Sequence, residues 1–149
     1  MSNFYLYLLL ALAAGAMMPT QAAINNKLAV FVESPVLAAF ISFFVGTVAL
    51  FIYVIASGTP LTNIGSVKDA PPITWIGGLL GAFFVTAAVT LVPRLGVAMT
   101  FSLIIAGQML VTIIIDHFGL LGVPVKEISL VRIAGILLIT AGVILIRRF

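Results

Sequence analysis

The sequence lacks most of the residues on which enzyme and metal chemistry depend. It has no cysteine and one histidine, and only seven Lys or Arg and four Asp or Glu among 149 residues. The absence of cysteine excludes disulfides and thiolate chemistry, and a lone histidine does not favour a metal site. No nucleophile has a recognisable base partner, and no glycine-rich loop suits a phosphate. We therefore expect no enzyme activity, no cofactor and no metal.

Charge is too scarce for a soluble protein. The chain is 63% hydrophobic and 7% charged, with a mean hydropathy of +1.35. That composition leaves too little polar surface to cover a soluble globule. Nucleic-acid binding is a poor explanation for the sequence pI of 9.7, because the seven basic residues are scattered and form no patch. The composition predicts an integral membrane protein.

Five apolar stretches set the expected architecture. Each is close to the ~20 residues with which a helix crosses a hydrocarbon layer of ~30 Å. Barrel strands would instead be alternating segments of about 10 residues. We expect an all-α integral membrane protein with five transmembrane helices in a single domain, residues 1–149. The stretches are Phe4–Ile24, Pro35–Ala56, Ile73–Val92, Val97–Ile115 and Leu130–Ile146.

The basic residues are divided almost evenly between the two membrane faces. With five crossings, Lys68, Lys126 and Arg132 fall on the face of the N-terminus, and Lys27, Arg94, Arg147 and Arg148 fall on the other. Orientation is set by the asymmetry of Lys and Arg in short loops, and here it is one charge. We expect the chain to insert both ways round, so that oppositely oriented copies can pair.

Small residues predict where helices pack closely. Gly77 and Gly81 are four residues apart in the third stretch, and Gly135 and Gly142 are seven apart in the fifth. Such spacing places small residues on one helix face, where backbones can approach. The contact is either ordinary packing within one bundle or a surface for a second subunit.

Polar residues in the first stretch define one candidate site. Pro19 cannot donate a backbone hydrogen bond to the carbonyl of Gly15, and an unsatisfied carbonyl is costly in hydrocarbon. Gln21 and Asn25 are four residues apart, hence on the same helix face. Two interpretations stay open. Either the helix breaks and its freed backbone and amides line a cavity, or it is kinked and the amides cap the link to the second helix.

A second candidate site lies in the third and fourth stretches. Gln108 is near the middle of the fourth, with Ser102 before it, and Thr86 and Thr90 are in the third. An amide at that depth must bond another helix or water in a cavity. Interhelical bonding is the alternative role, but Gln108 is the best single candidate for substrate contact. Thr86, Thr90 and Ser102 are candidates to line the same cavity.

Three ionisable residues lie near the fourth and fifth stretches. Asp116 and His117 end the fourth, and a carboxylate beside an imidazole can relay protons. The alternative is an interfacial ion pair of Asp116 with Lys126 or Arg132. For Arg132, two residues into the fifth stretch, we expect the side chain to extend to the head groups, with a salt bridge to Asp116 as the alternative.

Five short motifs along the chain carry a resemblance to a known family. The motifs are Gly15-x-x-x-Pro19-x-Gln21-x-x-x-Asn25-x-x-Leu28, Ser34-Pro35, Ser42-Phe43-x-x-Gly46, Gly107-Gln108-x-Leu110 and Asp116-His117-Phe118-Gly119. Together they resemble the YdcZ-like small bacterial membrane proteins with five helices, which belong to the drug/metabolite transporter superfamily. The resemblance covers essentially the whole chain.

The resemblance implies a transporter built from two halves. In this interpretation the chain pairs antiparallel, as a homodimer or with a sister chain, into a ten-helix inverted-repeat fold in a bacterial inner membrane. It would move a small molecule of unknown identity by alternating access. The first helix has no acidic residue, unlike that of the small multidrug resistance proteins, so coupling through a central carboxylate is not expected. The alternative function is a non-transporting membrane subunit or sensor that docks on another membrane protein.

Overall fold

The computed structural model describes residues 2–148, and all the regular structure in that range is helical. Four of its five α-helices are long and apolar enough to cross a membrane. The apolar part of the last, Leu130–Ile146, is shorter, at the lower end of the range of about 17–25 residues. The predicted all-α class is therefore confirmed, with four helices as candidate membrane spans, while the fifth crossing stays a prediction. The helices are α1 (Ser2–Phe31), α2 (Pro35–Ala56), α3 (Ile76–Leu95), α4 (Val97–Phe118) and α5 (Leu130–Arg148).

The first helix is longer than its apolar stretch. It has 30 residues and continues through Asn25 and Lys27 to Phe31. Hydropathy detects the part of a helix that suits lipid, whereas polar residues at its end can still form the i→i−4 bonds. At 1.5 Å per residue α1 is about 45 Å long, which exceeds the hydrocarbon thickness of about 30 Å.

The start of α2 is fixed by local sequence, as expected. Ser34 has an extended backbone, and its Oγ accepts a hydrogen bond from the Leu37 backbone N at 3.2 Å. Pro35 then occupies the first helical turn, where its missing N–H costs nothing. The helix consequently begins at the predicted residue.

Two glycines separate the later helices. Gly96, with φ of 79°, is the single residue between α3 and α4, and α3 contains Pro93 in its last turn. Gly119, with φ of 58°, ends α4 in the left-handed conformation that glycine adopts most readily. Ten residues then lead to α5, and they include a short 3₁₀ turn, Leu120–Gly122.

The chain divides into two compact units, one up to Pro93 and one from Arg94. In the first unit, small and β-branched residues form the buried core, joined by part of α1. The core residues are Ala38, Ala39, Val85 and Val89, with Leu28, Ala29, Val32 and Phe84 packed against them. In the second unit α4 packs along α5. The single domain expected from the sequence stays a prediction.

The link between α2 and α3 contains regular structure that hydropathy did not predict. Residues Leu61–Asp69 form a nine-residue 3₁₀ helix, called the 61–69 helix below, and Pro72–Trp75 form a second, shorter one. All nine residues of the 61–69 helix are exposed.

Candidate functional site

A groove of about 540 Å³ lies between α1 and α2 in the first unit. Its size is within the range of about 300–1,000 Å³ that is usual for small-molecule sites. The α1 residues that line it recur every three or four positions and so form one helix face. The lining residues are Met17, Thr20, Gln21, Ile24, Asn25 and Leu28 from α1, with Ile41, Ser42 and Val45 from α2.

The groove is mainly apolar, with four uncharged polar side chains. The Thr20 hydroxyl is used within the helix, because it donates to the Ala16 carbonyl oxygen at 2.9 Å. Gln21 and Ser42 are half-buried, and both also line a smaller adjoining cavity of about 220 Å³. The sequence motifs include Ser42, but sequence reasoning did not place it in the site.

Asn25 is the most unusual residue of the groove. Its side chain is 4% exposed, and its amide nitrogen Nδ2 is buried with no hydrogen-bond partner among the described residues. Leaving a buried donor unsatisfied costs about 1–3 kcal/mol. Leu28, three residues further along α1, lines the groove and also packs against the buried core. Asn25 is therefore held on a well-packed face while its amide keeps an unused donor.

A helix break at Gly15 and Pro19, one of the two interpretations left open by the sequence, is not present in α1. Hydrogen-bonded helix continues through both residues, because Pro19 removes only one backbone bond and the turns on either side keep theirs. Pro19 is two residues from both Met17 and Gln21, which places it about 200° around the helix from the groove. Of the residues in the broken-helix interpretation, Gln21 and Asn25 line the groove, whereas Gly15 and Pro19 do not.

The other predicted cavity residues lie elsewhere in the chain. Ser102 lines a cavity of about 240 Å³ between α4 and α5, together with Gly142. Thr86 and Thr90 are half-buried in α3, and the Thr90 hydroxyl donates to the Thr86 carbonyl at 2.8 Å. Gln108 is exposed on α4 and has no side-chain hydrogen bond to the described residues. Gln21 and Asn25 are thus the only pair of predicted amides that the described structure brings into one groove.

The loop between α4 and α5 is held by the side chains of Asp116 and Arg132 and by the backbone of Lys126. Arg132 Nη2 donates to Asp116 Oδ2 at 2.6 Å, and Arg132 Nη1 donates to the Lys126 carbonyl at 3.1 Å. The Lys126 N–H in turn donates to the Asp116 carbonyl at 2.8 Å. Arg132 is thus in the salt bridge that was the alternative to extension towards the head groups.

His117 holds the same loop from the adjacent position. Its Nδ1 accepts a hydrogen bond from the Ile128 backbone N at 3.3 Å, and its ring lies edge-on to that of Phe118. An imidazole that accepts at Nδ1 is in the neutral form with its proton on Nε2. The geometry gives Asp116 and His117 structural partners in the loop, and a proton relay stays a prediction.

The four predicted packing glycines differ in their surroundings. A Cβ on Gly81 would be 3.4 Å from the ring of Phe43, so this glycine lies close to α2. Around Gly77, Gly135 and Gly142 there is open space within 4 Å. The contact at Gly81 is with the tip of one α2 side chain, and close helix or dimer packing at the four glycines stays a prediction.

One buried hydroxyl was missed by sequence reasoning. Thr100, in the first turns of α4, is 1% exposed, and its Oγ1 has no partner among residues 2–148. The sequence gives no signal for this buried hydroxyl beyond a threonine in an apolar run.

The described residues bring no three of His, Asp and Glu together as metal ligands.

Comparison with known proteins identifies the family. Neither the curated proteins nor the solved structures give a match. A family model described as "Putative inner membrane exporter, YdcZ" matches residues 6–145. This range includes the groove of α1 and α2, the ion pair of Asp116 with Arg132, and nearly all of the five helices. The chain therefore belongs to the YdcZ family that this model describes.

Proposed function

We propose that the protein exports a small organic molecule across a bacterial inner membrane through a pathway that includes the groove of α1 and α2. Two antiparallel copies form the transporter, which works by alternating access. The family supports membrane transport in general and a multi-pass protein of the inner membrane. An exporter moves its solute without converting it, in agreement with the non-enzymatic function expected from the sequence.

The observation that carries the proposal is the unused Asn25 amide beside the groove. A leucine at this position would leave no donor unsatisfied and would suit an apolar helix. A ligand or water that accepts from Nδ2 explains why an asparagine is kept there at a cost in stability.

The lining of the groove indicates the class of substrate. Its polar groups are amides and hydroxyls, and no charged side chain is among the lining residues. Recognition there would depend on hydrogen bonds and apolar contact, and an ionic substrate would lack a countercharge. The proposal therefore favours an uncharged, largely apolar molecule with a hydrogen-bond acceptor for Asn25.

Antiparallel pairing is supported by three features of the chain. The basic residues are divided three to four between the predicted faces, which leaves orientation weakly specified. Gln108, twelfth of the 22 residues of α4, exposes an amide at the middle of an apolar helix. Gly77 has open space around it that a second copy can fill.

The groove is tested by replacing Asn25 with leucine. We expect Asn25→Leu to lower export of labelled uncharged amides and alcohols from proteoliposomes about tenfold, equivalent to one hydrogen bond of about 1.4 kcal/mol. Its stability in detergent should be unchanged or higher, because an unsatisfied donor is removed. The matched control is Asn26→Leu, which changes the same chemical group at the next position, outside the groove lining.

The effects of Asn25→Leu on stability and on export are compared with each other and with those of the control. If Asn25→Leu loses stability and transport together, the amide is structural and the argument from an unused donor is wrong. If export by Asn25→Leu equals that by Asn26→Leu, the groove is not part of the pathway.

Water access separates a transporter from a docking subunit. The chain has no native cysteine, so single cysteines can be introduced cleanly. We expect Ser42→Cys, in the groove, to react with a membrane-impermeant thiol reagent, and Phe44→Cys, 62% exposed on α2 outside the groove, to resist it. Protection of both positions would indicate a dry contact and would favour the docking function.

Dual orientation has its own test. Ser66 is exposed in the link between α2 and α3, and Ser66→Cys reports which face that link occupies. In intact spheroplasts we expect about half of the chains to be labelled from outside, as weak charge asymmetry predicts. Labelling of all chains or of none would reject antiparallel pairing of identical copies.

A further inference from the structure

The 61–69 helix has an apolar stripe with the period of its own geometry. Its sequence is Leu-Thr-Asn-Ile-Gly-Ser-Val-Lys-Asp, so every third residue is apolar and the others are polar or glycine. A 3₁₀ helix has three residues per turn, which places residues i, i+3 and i+6 directly above one another. Leu61, Ile64 and Val67 therefore form a single apolar face.

This face is uncovered in the described chain. Leu61 is 46% exposed, Ile64 is 68% exposed and Val67 is 47% exposed. No other helix packs against the backbone of the 61–69 helix within residues 2–148. Runs of 3₁₀ helix longer than three or four residues are uncommon, so a nine-residue run with an exposed apolar stripe calls for an apolar surface to stabilise it.

The position of the helix in the chain indicates what that surface is. It joins α2 and α3, two consecutive candidate spans, so both of its ends are tethered at the same membrane face. Tyr53 near the end of α2 and Trp75 immediately before α3 are both exposed aromatic residues, as is usual at the level of the head groups. The 61–69 helix is thus tied at both ends to helices whose length and composition suit a membrane span.

The size and charge of the helix also favour lipid over protein. Three aliphatic side chains are far fewer than the roughly 20–30 residues that each partner contributes to a stable protein interface, with about 800 Å² buried per partner. Lys68 follows Val67 on the next helix face, where its stem can lie along the acyl boundary while the ammonium reaches phosphate. Asn63, Ser66 and Asp69 share the remaining face, which suits water.

We propose that the 61–69 helix is a lipid-binding element that lies flat in the head-group region of the bilayer. Leu61, Ile64 and Val67 face the acyl chains, Lys68 binds the phosphate of an anionic head group, and the face of Asn63 and Ser66 is in water. The element anchors the link between α2 and α3 at the membrane surface. It is independent of the proposed transport pathway, which uses α1 and the first half of α2.

The proposal is tested by the periodicity of lipid exposure. Single cysteines at positions 61–67 carry a nitroxide label in the full-length protein, reconstituted in vesicles of phosphatidylcholine and phosphatidylglycerol. Collisions with oxygen report lipid, and collisions with a water-soluble nickel chelate report water. Phe44→Cys, exposed on α2, is the reference for a lipid-facing site, and all the probed positions of the 61–69 helix are exposed, so their replacement leaves the packed core untouched.

The expected result is a period of three. Labels at Leu61, Ile64 and Val67 should show at least threefold more relative oxygen exposure than those at Thr62, Asn63 and Ser66. Strong nickel collisions at all positions would place the segment in water and overturn the proposal. Weak collisions with both reagents along the stripe would mean that protein covers it, which would overturn the assignment to lipid in favour of a second copy of the chain.

Discussion

Replacing Asp116 with asparagine should destabilise the second unit by about 1–1.5 kcal/mol. The Arg132 Nη2 to Asp116 Oδ2 distance is 2.6 Å, and the two side chains are 32% and 21% exposed respectively. Fully exposed ion pairs contribute about 0–1 kcal/mol, whereas hydrogen bonds to charged groups contribute about 1.5–3 kcal/mol. A partly buried, short, charge-assisted bond should lie between these ranges. Asparagine keeps an acceptor oxygen but removes the countercharge of Arg132.

The measurement is a double-mutant cycle in mixed micelles, with unfolding followed by far-ultraviolet circular dichroism. The cycle combines Asp116→Asn with Arg132→Gln, and we expect a coupling energy of at least about 0.5 kcal/mol. The matched control is Asp69→Asn, an exposed carboxylate with no ion pair among the described residues. That control should stay within about 0.5 kcal/mol of the parent chain.

Additive effects of the two replacements would refute this reasoning. The ion pair would then contribute nothing of its own, and the loop would be held by the backbone bond from Lys126 N to the Asp116 carbonyl. A loss of stability by Asp69→Asn as large as that by Asp116→Asn would refute it differently. It would show that any removed carboxylate matters, irrespective of its geometry.

Two local predictions follow from the helix ends, and both are checked by thermal unfolding in detergent. Gly119→Ala should lower the free energy of unfolding by about 1–2 kcal/mol, because φ at this position is 58° and a Cβ would be 2.7 Å from Val125 Cγ2. The control is Gly46→Ala, in open space within α2, which should be neutral or stabilising by up to about 1 kcal/mol. Equal effects would contradict the backbone argument. Ser34→Ala should cost about 1 kcal/mol through loss of the acceptor for Leu37 N, and no change would mean that water replaces it.

The sequence predicted helices where their signals are local. The bounds of α2 matched the expectation, because Ser34 and Pro35 determine its start and a polar, glycine-containing link follows it. The predicted end of α1 was wrong by seven residues, because the polar residues Asn25 to Lys27 interrupt the apolar run whereas the helix continues through them to Phe31. The 61–69 helix was missed for a different reason. Its apolar residues alternate with two polar or glycine residues each, so they form no continuous apolar run that hydropathy detects.

The candidate site was predictable in part. Spacing alone placed Gln21 and Asn25 on one helix face, and both line the groove. The same geometry argues against Pro19 as part of that face, because it is about 200° from Gln21, so the broken-helix interpretation joined two opposite sides of α1. The sequence left the partner of Asp116 open between Lys126 and Arg132, because Arg132 is 16 positions away across an irregular loop. No local pattern predicts contacts across such a loop.

A comparison of Asn25 with Gln108 shows why one sequence predicts only part of the candidate site. Asn25 is buried by its own unit and lacks only an acceptor, so its role can be argued from the groove alone. Gln108 is exposed at the middle of α4, where facing acyl chains would cost several kcal/mol. In the proposed antiparallel pair, a second copy or the water between copies provides its hydrogen bonds. The sequence therefore singles out Gln108 as a polar residue in an apolar helix. It does not predict which groups Gln108 contacts, because in this proposal those groups belong to another molecule.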